Sequence, residues 1–183
     1  MKTSYFLRGS GGQGVQVVGM MLLYAMNEKG GHASFFPEYG SNKRGGFSQC
    51  AVVTDEKPIY SFTSSKFDAL VLLNEDSYEK YGQAVREGGT RILNSGLIKS
   101  IDGTTDAKTI AVPFEEIARS VGDQKVMNTL VFGFLARYLD VVDRETAKRI
   151  VLKTTGEKPA YRELNLTALE TGFQEAEKVL AGC

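Results

Sequence analysis

A glycine-rich turn near the N-terminus, Gly9–Gly14, constrains the fold of this chain more than any other feature. It has the pattern G-x-G-x-x-G and lies between an apolar segment, Tyr5–Leu7, and a helical stretch, Val15–Lys29. Glycines let a backbone turn sharply and approach a ligand closely, and the free N–H groups at the start of a helix favour an anion. The turn therefore predicts a strand, a loop and a helix at the start of an α/β fold.

Strand and helix patterns alternate along the rest of the chain. Strands are predicted at residues 33–36, 47–53, 59–62, 69–73, 91–93 and 109–112, and helices at 76–86 and repeatedly after 113. A turn at Asp55–Pro58 is expected to join two of these strands into a hairpin, Gly88 and Gly89 to end the 76–86 helix, and Asn165 to cap the last helix. This order predicts an α/β three-layer sandwich, with helices on both faces of a mixed, mostly parallel sheet, in a single domain of residues 1–183.

Composition excludes several classes of function. Lys and Arg together number 22 and Asp and Glu together number 22, so no basic excess favours nucleic acid. No apolar run reaches the roughly 20 residues of a membrane span, and Met1–Ser4 is followed by no signal-peptide pattern, so a cytoplasmic protein is expected. Two cysteines, Cys50 and Cys183, are too few for an iron–sulfur cluster, and the one histidine, His32, has no partners at metal-ligand spacing. No metal site is expected.

The glycine turn by itself leaves three interpretations open. A dinucleotide site needs an acid about 20 residues on, at the end of the second strand. Glu38 follows Gly14 by 24 residues and stands directly after Pro37, which is poor geometry for that role. The glycines could instead allow close packing of a helix on the sheet or of one subunit on another. They could also hold an anionic ligand, such as a phosphate-bearing cofactor, at a site shared with another chain.

The segment Pro37–Gly46 is the second unusual feature. It combines a rigid proline, conformationally permissive glycines and an aromatic residue, Tyr39. It also contains Arg44, whose guanidinium can contact a carboxylate or phosphate in bidentate fashion. Loops of this composition commonly carry function. A solvated surface turn with a flexible arginine is the alternative.

Together the two segments resemble the gamma subunit, or fused gamma domain, of 2-oxoacid:ferredoxin oxidoreductases. The family pattern G-x-G-G-Q-G-V is matched by residues 9–15 and P-x-Y-G-x-x-x-R-G-G by residues 37–46. The similarity continues in the Asp55–Ile59 turn and in a set of helix residues, namely Asn128, Gly133, Asn165, Ala168 and Gly172. One departure is Asn42, which stands where many relatives have an acid.

The resemblance implies that the chain is one subunit of an enzyme that converts a 2-oxoacid and coenzyme A to acyl-CoA and carbon dioxide, with 2-oxoglutarate favoured over pyruvate and branched-chain oxoacids. Electrons would pass from thiamine diphosphate through iron–sulfur clusters to ferredoxin. The chain itself would bind no cofactor alone and carry no catalytic residue. Alpha, beta and ferredoxin-like delta partners would hold those groups.

The resemblance also indicates which residues meet the shared coenzyme A or thiamine site. They are Gly11, Gly12, Gln13, Gly14, Tyr39 and Arg44. Exposed apolar surface is expected to let the isolated chain form a homodimer. Two alternatives stay open: a free-standing dinucleotide- or flavin-binding protein that uses the Gly9–Gly14 loop, and a purely structural assembly subunit.

Overall fold

The computed structural model describes residues 2–40, 46–60, 64–101, 103, 106–155 and 159–182. The strands are β1 (Thr3–Ser10), β2 (His32–Tyr39), β3 (Phe47–Asp55), β4 (Phe67–Leu72), β5 (Val85–Asn94) and β6 (Lys108–Val112). The helices are α1 (Val15–Glu28), α2 (Glu75–Tyr81), α3 (Phe114–Val121), α4 (Met127–Tyr138), α5 (Arg144–Thr154) and α6 (Pro159–Leu180), with a 3-10 turn at Gln124–Val126 before α4. Among the helices of these ranges, none has the length and apolarity that a bilayer crossing needs.

The strands form one mixed sheet in the order β2-β3-β1-β4-β5-β6. β1, β4, β5 and β6 pair in parallel, whereas β3 lies antiparallel to both β1 and β2. β3 is therefore, within the described residues, the one strand that runs against the others. The prediction of a mixed, mostly parallel sheet is confirmed.

Helices cover both faces of the sheet, but unequally. One face of β1, carrying Tyr5 and Leu7, packs with α1 and the C-terminal helices into the larger core. The opposite face, carrying Phe6 and Leu70, packs against Tyr78 of α2 in a smaller core. The three-layer α/β sandwich predicted from the alternating pattern is confirmed. The central strands are buried on both faces, which explains their nearly continuous apolar runs.

The strands predicted at residues 33–36 and 59–62 differ from those in the structure. β2 continues through Pro37 to Tyr39, where a loop was expected, because β2 is an edge strand and an edge tolerates a residue without an N–H. The prediction of a hairpin between residues 47–53 and 59–62 is wrong. Ile59 and Tyr60 lie outside any strand, residues 61–63 are outside the described ranges, and β3 pairs with β1 and β2 instead.

Two helix predictions also need correction. The 76–86 helix ends at Tyr81, and Arg86 lies in β5. Gly88 and Gly89 do not end a helix. They form part of a bulge in β5, where the pairing with β4 shifts register and Gly88 takes a φ of 70°. Asn165 is not a helix cap. It is buried inside α6.

Asn165 belongs to a close crossing of α4 and α6. The hydroxyl of Thr129 in α4 donates a hydrogen bond to Asn165 Oδ1 at 2.8 Å. Glycines allow the two backbones to meet here, since a Cβ on Gly172 would press on the Leu130 carbonyl oxygen and one on Gly133 on the Leu169 carbonyl oxygen. The helix residues shared with the family in the sequence thus have a packing explanation.

Candidate functional site

The glycine turn lies at the point of the sheet where the chain changes face. β1 is followed by α1 on one face, whereas its parallel neighbour β4 is followed by α2 on the other. In open α/β sheets, ligands bind in the crevice outside the carboxyl ends of the strands at such a switch point. The turn after β1 and the segment Leu73–Asn74 after β4 border that crevice here.

The turn presents backbone rather than side chains. Gly12 and Gly14 have φ of 98° and 74°, a region that only glycine adopts readily. Gly14 is the N-cap of α1, no side chain caps the helix, and its first turn carries no acidic residue. A Cβ built on Gly12 would meet no atom of the described residues within 4 Å, so these residues leave this backbone open to a ligand. An anionic group fits these features.

Gln13 points back into the protein. Its Oε1 accepts a hydrogen bond from the Ser10 N–H at 2.6 Å, and its Nε2 donates to the Leu73 carbonyl oxygen at 3.3 Å. The same carbonyl accepts from Asn94 Nδ2 at 3.2 Å, and Asn74 Nδ2 donates to Ser10 Oγ at 2.6 Å. The amide oxygen of Gln13 therefore braces the turn internally, and its amide nitrogen joins the turn to the carboxyl end of β4.

The structure brings the two sequence motifs together. The Gly11 N–H donates to the Gly46 carbonyl oxygen at 2.8 Å, which joins the glycine turn to the end of the second motif. The Gly40 N–H donates to the Phe47 carbonyl oxygen at 2.9 Å and closes the base of that motif. Tyr39 ends β2 with 66% of its surface exposed. Arg44 lies outside the described residues, together with Asn42.

Gln16 is a contact residue that the sequence did not indicate. From the first turn of α1, its Nε2 lies 2.8 Å from the Gln49 carbonyl oxygen, 3.1 Å from Ser48 Oγ and 3.3 Å from the Glu38 carbonyl oxygen. Gln16 therefore ties α1 to β2, which enters the second motif, and to β3, which follows it. Its place in the first helical turn after the glycines was the only feature of the sequence that could have indicated this role.

Asn128 borders the glycine turn from the opposite side. A Cβ on Gly14 would lie 2.6 Å from Asn128 Cβ, so the start of α4 touches the start of α1. The Asn128 Oδ1 accepts its neighbour's N–H, that of Thr129, at 2.8 Å. The resemblance drew attention to Asn128 but did not assign it to the site.

The geometry argues against a dinucleotide fold of the ordinary kind. In such folds the acid that binds the ribose ends a parallel strand beside β1. Here antiparallel β3 occupies that position, and Glu38 lies one strand further out on the edge. Its Oε2 accepts a hydrogen bond from Gln49 Nε2 at 2.8 Å. The one acid considered for that role is thus displaced and engaged elsewhere.

Redox ligands are not gathered in the described parts of the chain. Those parts hold no group of three or more His, Cys, Asp or Glu placed to bind a metal ion. Cys50 is buried against α1, and burial raises the pKa of its thiol to about 12. A thiol kept protonated in this way is a poor metal ligand, so the residues at this position do not fit an iron–sulfur cluster.

Comparison with known proteins gives consistent matches over most of the chain. A family model described as pyruvate ferredoxin/flavodoxin oxidoreductase matches residues 4–175. The ketoisovalerate oxidoreductase subunit VorA of Methanothermobacter thermautotrophicus is 33% identical over 96% of this chain. The 2-oxoglutarate synthase subunit KorC of Methanocaldococcus jannaschii is 29% identical over 98% of this chain and 96% of its own length.

A solved structure matches both in length and in fold. It is the gamma subunit of a keto/oxoacid ferredoxin oxidoreductase from Geobacter sulfurreducens PCA, with a TM-score of 0.84, 28% identity and 97% coverage of each chain. The VorA relative is much longer, and this chain spans only 37% of it. The fold thus occurs both as a separate chain and within a larger polypeptide.

Proposed function

The chain belongs to the pyruvate ferredoxin/flavodoxin oxidoreductase family, and from this membership we propose that it is the gamma subunit of a 2-oxoacid:ferredoxin oxidoreductase. The complete enzyme would oxidatively decarboxylate a 2-oxoacid with coenzyme A. The chain contributes one α/β domain and no complete active site. Its match in length to a separate gamma subunit supports this role.

The contact between Gly11 and Gly46 carries the proposal for the site. It joins Gly46, the last residue of the second motif, to the glycine turn that leads into the uncapped start of α1. We propose that Gly11, Gly12 and Gly14 offer backbone to a phosphate of coenzyme A, with Tyr39 and Arg44 closing over the ligand from the second motif. Gln13 supports the turn from within. Coenzyme A, when bound, supplies the thiol that accepts the acyl group.

The remaining chemistry belongs to partner subunits in this proposal. Thiamine diphosphate and the iron–sulfur clusters would be held by alpha, beta and ferredoxin-like delta chains, and ferredoxin would accept the electrons. The long VorA relative supports a tight association with another chain, because there the same fold is joined to further polypeptide. The exposed β2 edge, with Phe36 and Tyr39, offers apolar surface for such a contact.

The proposed substrate is 2-oxoglutarate, since the KorC relative matches this chain almost end to end. A branched-chain oxoacid is the alternative, because the relative named for ketoisovalerate has the higher identity. Purification of the tagged protein from its own cells under anaerobic conditions tests both. Mass spectrometry should find thiamine- and cluster-binding partners, and coenzyme A-dependent dye reduction should be fastest with 2-oxoglutarate. A chain that purifies alone would contradict the proposal.

Substitution of Arg44 tests the ligand site in the assembled enzyme. Arg44→Ala removes a charge-assisted contact to phosphate, so the KM for coenzyme A should rise about tenfold. Arg86→Ala is the matched control. Arg86 is a partly exposed arginine that pairs with Asp68 at 2.9 Å and lies in β5 away from the site, so its loss should leave this KM unchanged.

The same experiment separates ligand binding from a purely structural role. If Arg44→Ala and Tyr39→Ala leave both subunit assembly and the KM for coenzyme A unchanged, the motif serves neither purpose proposed here. If assembly alone fails, the chain is an assembly subunit and the coenzyme A site lies elsewhere.

A further inference from the structure

A buried arginine lies beneath the second motif. Arg8 is in β1, three residues before Gly11, and only 3% of its surface is exposed. Its guanidinium carbon lies 4.4 Å from the centre of the Phe47 ring and 5.0 Å from that of Tyr81. Phe47 is the first residue of β3 and directly follows Gly46. The cation therefore packs against the residue where the second motif ends.

Arg8 also links three strands and a helix through polar contacts. Its Nη2 donates to Asp76 Oδ2 in α2 at 3.0 Å, and its Nη1 donates to Gln49 Oε1 in β3. Gln49 Nε2 in turn donates to Glu38 Oε2 in β2 at 2.8 Å. The contacts thus run from α2 through β1 and β3 to the strand that enters the second motif.

The opposite face of the sheet holds the same two strands. Gln16 contacts the carbonyl oxygens of Glu38 and Gln49 from α1. The base of the second motif is therefore held on one face by Gln16 and on the other by Arg8. The remaining contact, from Gly11 to Gly46, orients the motif toward the glycine turn.

Stability alone is a weak reason for a charge at this position. Desolvation of a buried ion often costs as much as its pairing returns, and apolar replacements are frequently as stable. The Arg8 Nε is buried with no hydrogen-bond partner among the described residues, so part of this cost is uncompensated. The contacts of the guanidinium with Phe47 and Gln49 lead to residues that follow the second motif.

We propose that Arg8 is a positioning residue that holds the two ends of the second motif, Tyr39–Gly40 and Gly46–Phe47, beside the glycine turn for binding of coenzyme A. The identity of the ligand, coenzyme A, rests on the proposed function. The contacts of Arg8 are observed in the structure and do not depend on that proposal. Arg8 itself does not touch the ligand. It acts through Phe47 and through the Gln49–Glu38 pair.

Steady-state kinetics of the purified complex provide the first test. Arg8→Met should raise the KM for coenzyme A about tenfold and change kcat less than twofold, since the ends of the second motif shift while the chemistry lies on other subunits. Arg8→Lys can reach Gln49 or Asp76 but not both with fork geometry, so it should give an intermediate KM.

Arg91 supplies a matched control. It is 1% exposed on the same face of the sheet, and it donates to Thr109 Oγ1 at 2.9 Å and to the Gly82 carbonyl oxygen at 3.2 Å, away from the second motif. Arg91→Met should destabilise the chain without raising the KM for coenzyme A. If both arginine variants raise this KM equally, the effect is general loosening and the proposal fails.

Hydrogen exchange of the full-length chain gives a test that needs no ligand. Arg8→Met should speed exchange in peptides covering 9–14 and 38–48, which contain the Gly11 and Gly40 amides, and Arg91→Met should not. Should Arg8→Met fail to fold, Gln49→Glu replaces it. Its carboxylate still accepts from Arg8 but cannot donate to Glu38, so the same peptides should exchange faster.

The outcomes distinguish this inference from the proposed function. Unchanged exchange in the Arg8 and Gln49 variants overturns it. Faster exchange with an unchanged KM, in an enzyme where Arg44→Ala raises the KM, also overturns it. If exchange is faster in the Arg8 variant but Arg44→Ala leaves the KM for coenzyme A unchanged, Arg8 does hold the ends of the second motif in place and the proposed ligand is wrong.

Discussion

Gly14 is a residue at which backbone conformation and packing both require glycine. Its φ of 74° is costly for other residues, and a Cβ would lie 2.6 Å from Asn128 Cβ. Gly14→Ala should lower the free energy of unfolding by about 3 kcal/mol, of which about 1–2 kcal/mol is backbone strain. Gly12 has a φ of 98°, but no atom of the described residues lies within 4 Å of a Cβ built on it. Gly12→Ala should therefore lose only the part of the free energy of unfolding that comes from backbone strain. Urea unfolding measures both, and equal losses would contradict the packing role of Gly14.

Cys50 predicts a pH dependence of stability. Burial raises the pKa of its thiol to about 12, whereas an unfolded thiol ionises near about 8.5. Between these two pKa values the thiol ionises in the unfolded chain but not in the folded one, which stabilises the unfolded chain. The contribution of Cys50 to the free energy of unfolding is therefore fully present below about pH 8.5 and falls by about 1.4 kcal/mol per pH unit as pH rises toward 12. Urea unfolding at pH 8 and pH 10 should show a steeper loss for the parent than for Cys50→Ala. Parallel losses would refute this.

The crossing of α4 and α6 is the tightest helix contact on which the larger core depends. A Cβ on Gly172 would press on the Leu130 carbonyl oxygen and lie 2.8 Å from the Phe134 nitrogen. Gly172→Ala must therefore move the helices apart, and we expect a loss of about 3 kcal/mol in urea unfolding. Gln174→Ala, on the exposed side of α6, should change stability by less than about 0.5 kcal/mol. A neutral Gly172→Ala would show that the crossing is looser than the backbone distances indicate.

The elements also show where local patterns fail. Residues 82–86 continue a helical pattern, but pairing with β4 draws Val85 and Arg86 into β5. Ile59 and Tyr60 resemble a strand, yet β1 and β2 already occupy both edges of β3. In each case a contact distant in sequence overrode a local preference, which propensity cannot reveal.

For the molecule as a whole, the β2 edge of the sheet should govern association. Phe36 and Tyr39 on β2 are 45% and 66% exposed. The isolated chain should therefore self-associate, as its sequence predicts, and Phe36→Thr with Tyr39→Thr should weaken this at least severalfold in sedimentation equilibrium. Tyr60→Thr removes an aromatic that is 93% exposed but lies off the edge, so it should have no effect. Association unaffected by the β2 pair would place the contact elsewhere.

Local features of this protein could be predicted from its residues alone. Glycine spacing predicted the turn between β1 and α1, and apolar runs predicted the central strands, because these depend on backbone freedom and burial near each residue. The two motifs also sufficed to indicate the family. Of the proposed site residues, the glycines and Gln13 meet in one turn, and Tyr39 ends the edge strand β2, which β3 separates from β1.

The way in which those features combine depends on contacts between segments that are distant in the chain. The antiparallel insertion of β3 between β1 and β2 brings Gly46 to Gly11, and it places Gln49 beside Arg8. Nothing in the local sequence of any of these residues specifies that partner. Strand order arises from burial of the whole sheet between two unequal helix layers, so the contacts that shape the site exist only once distant segments have packed.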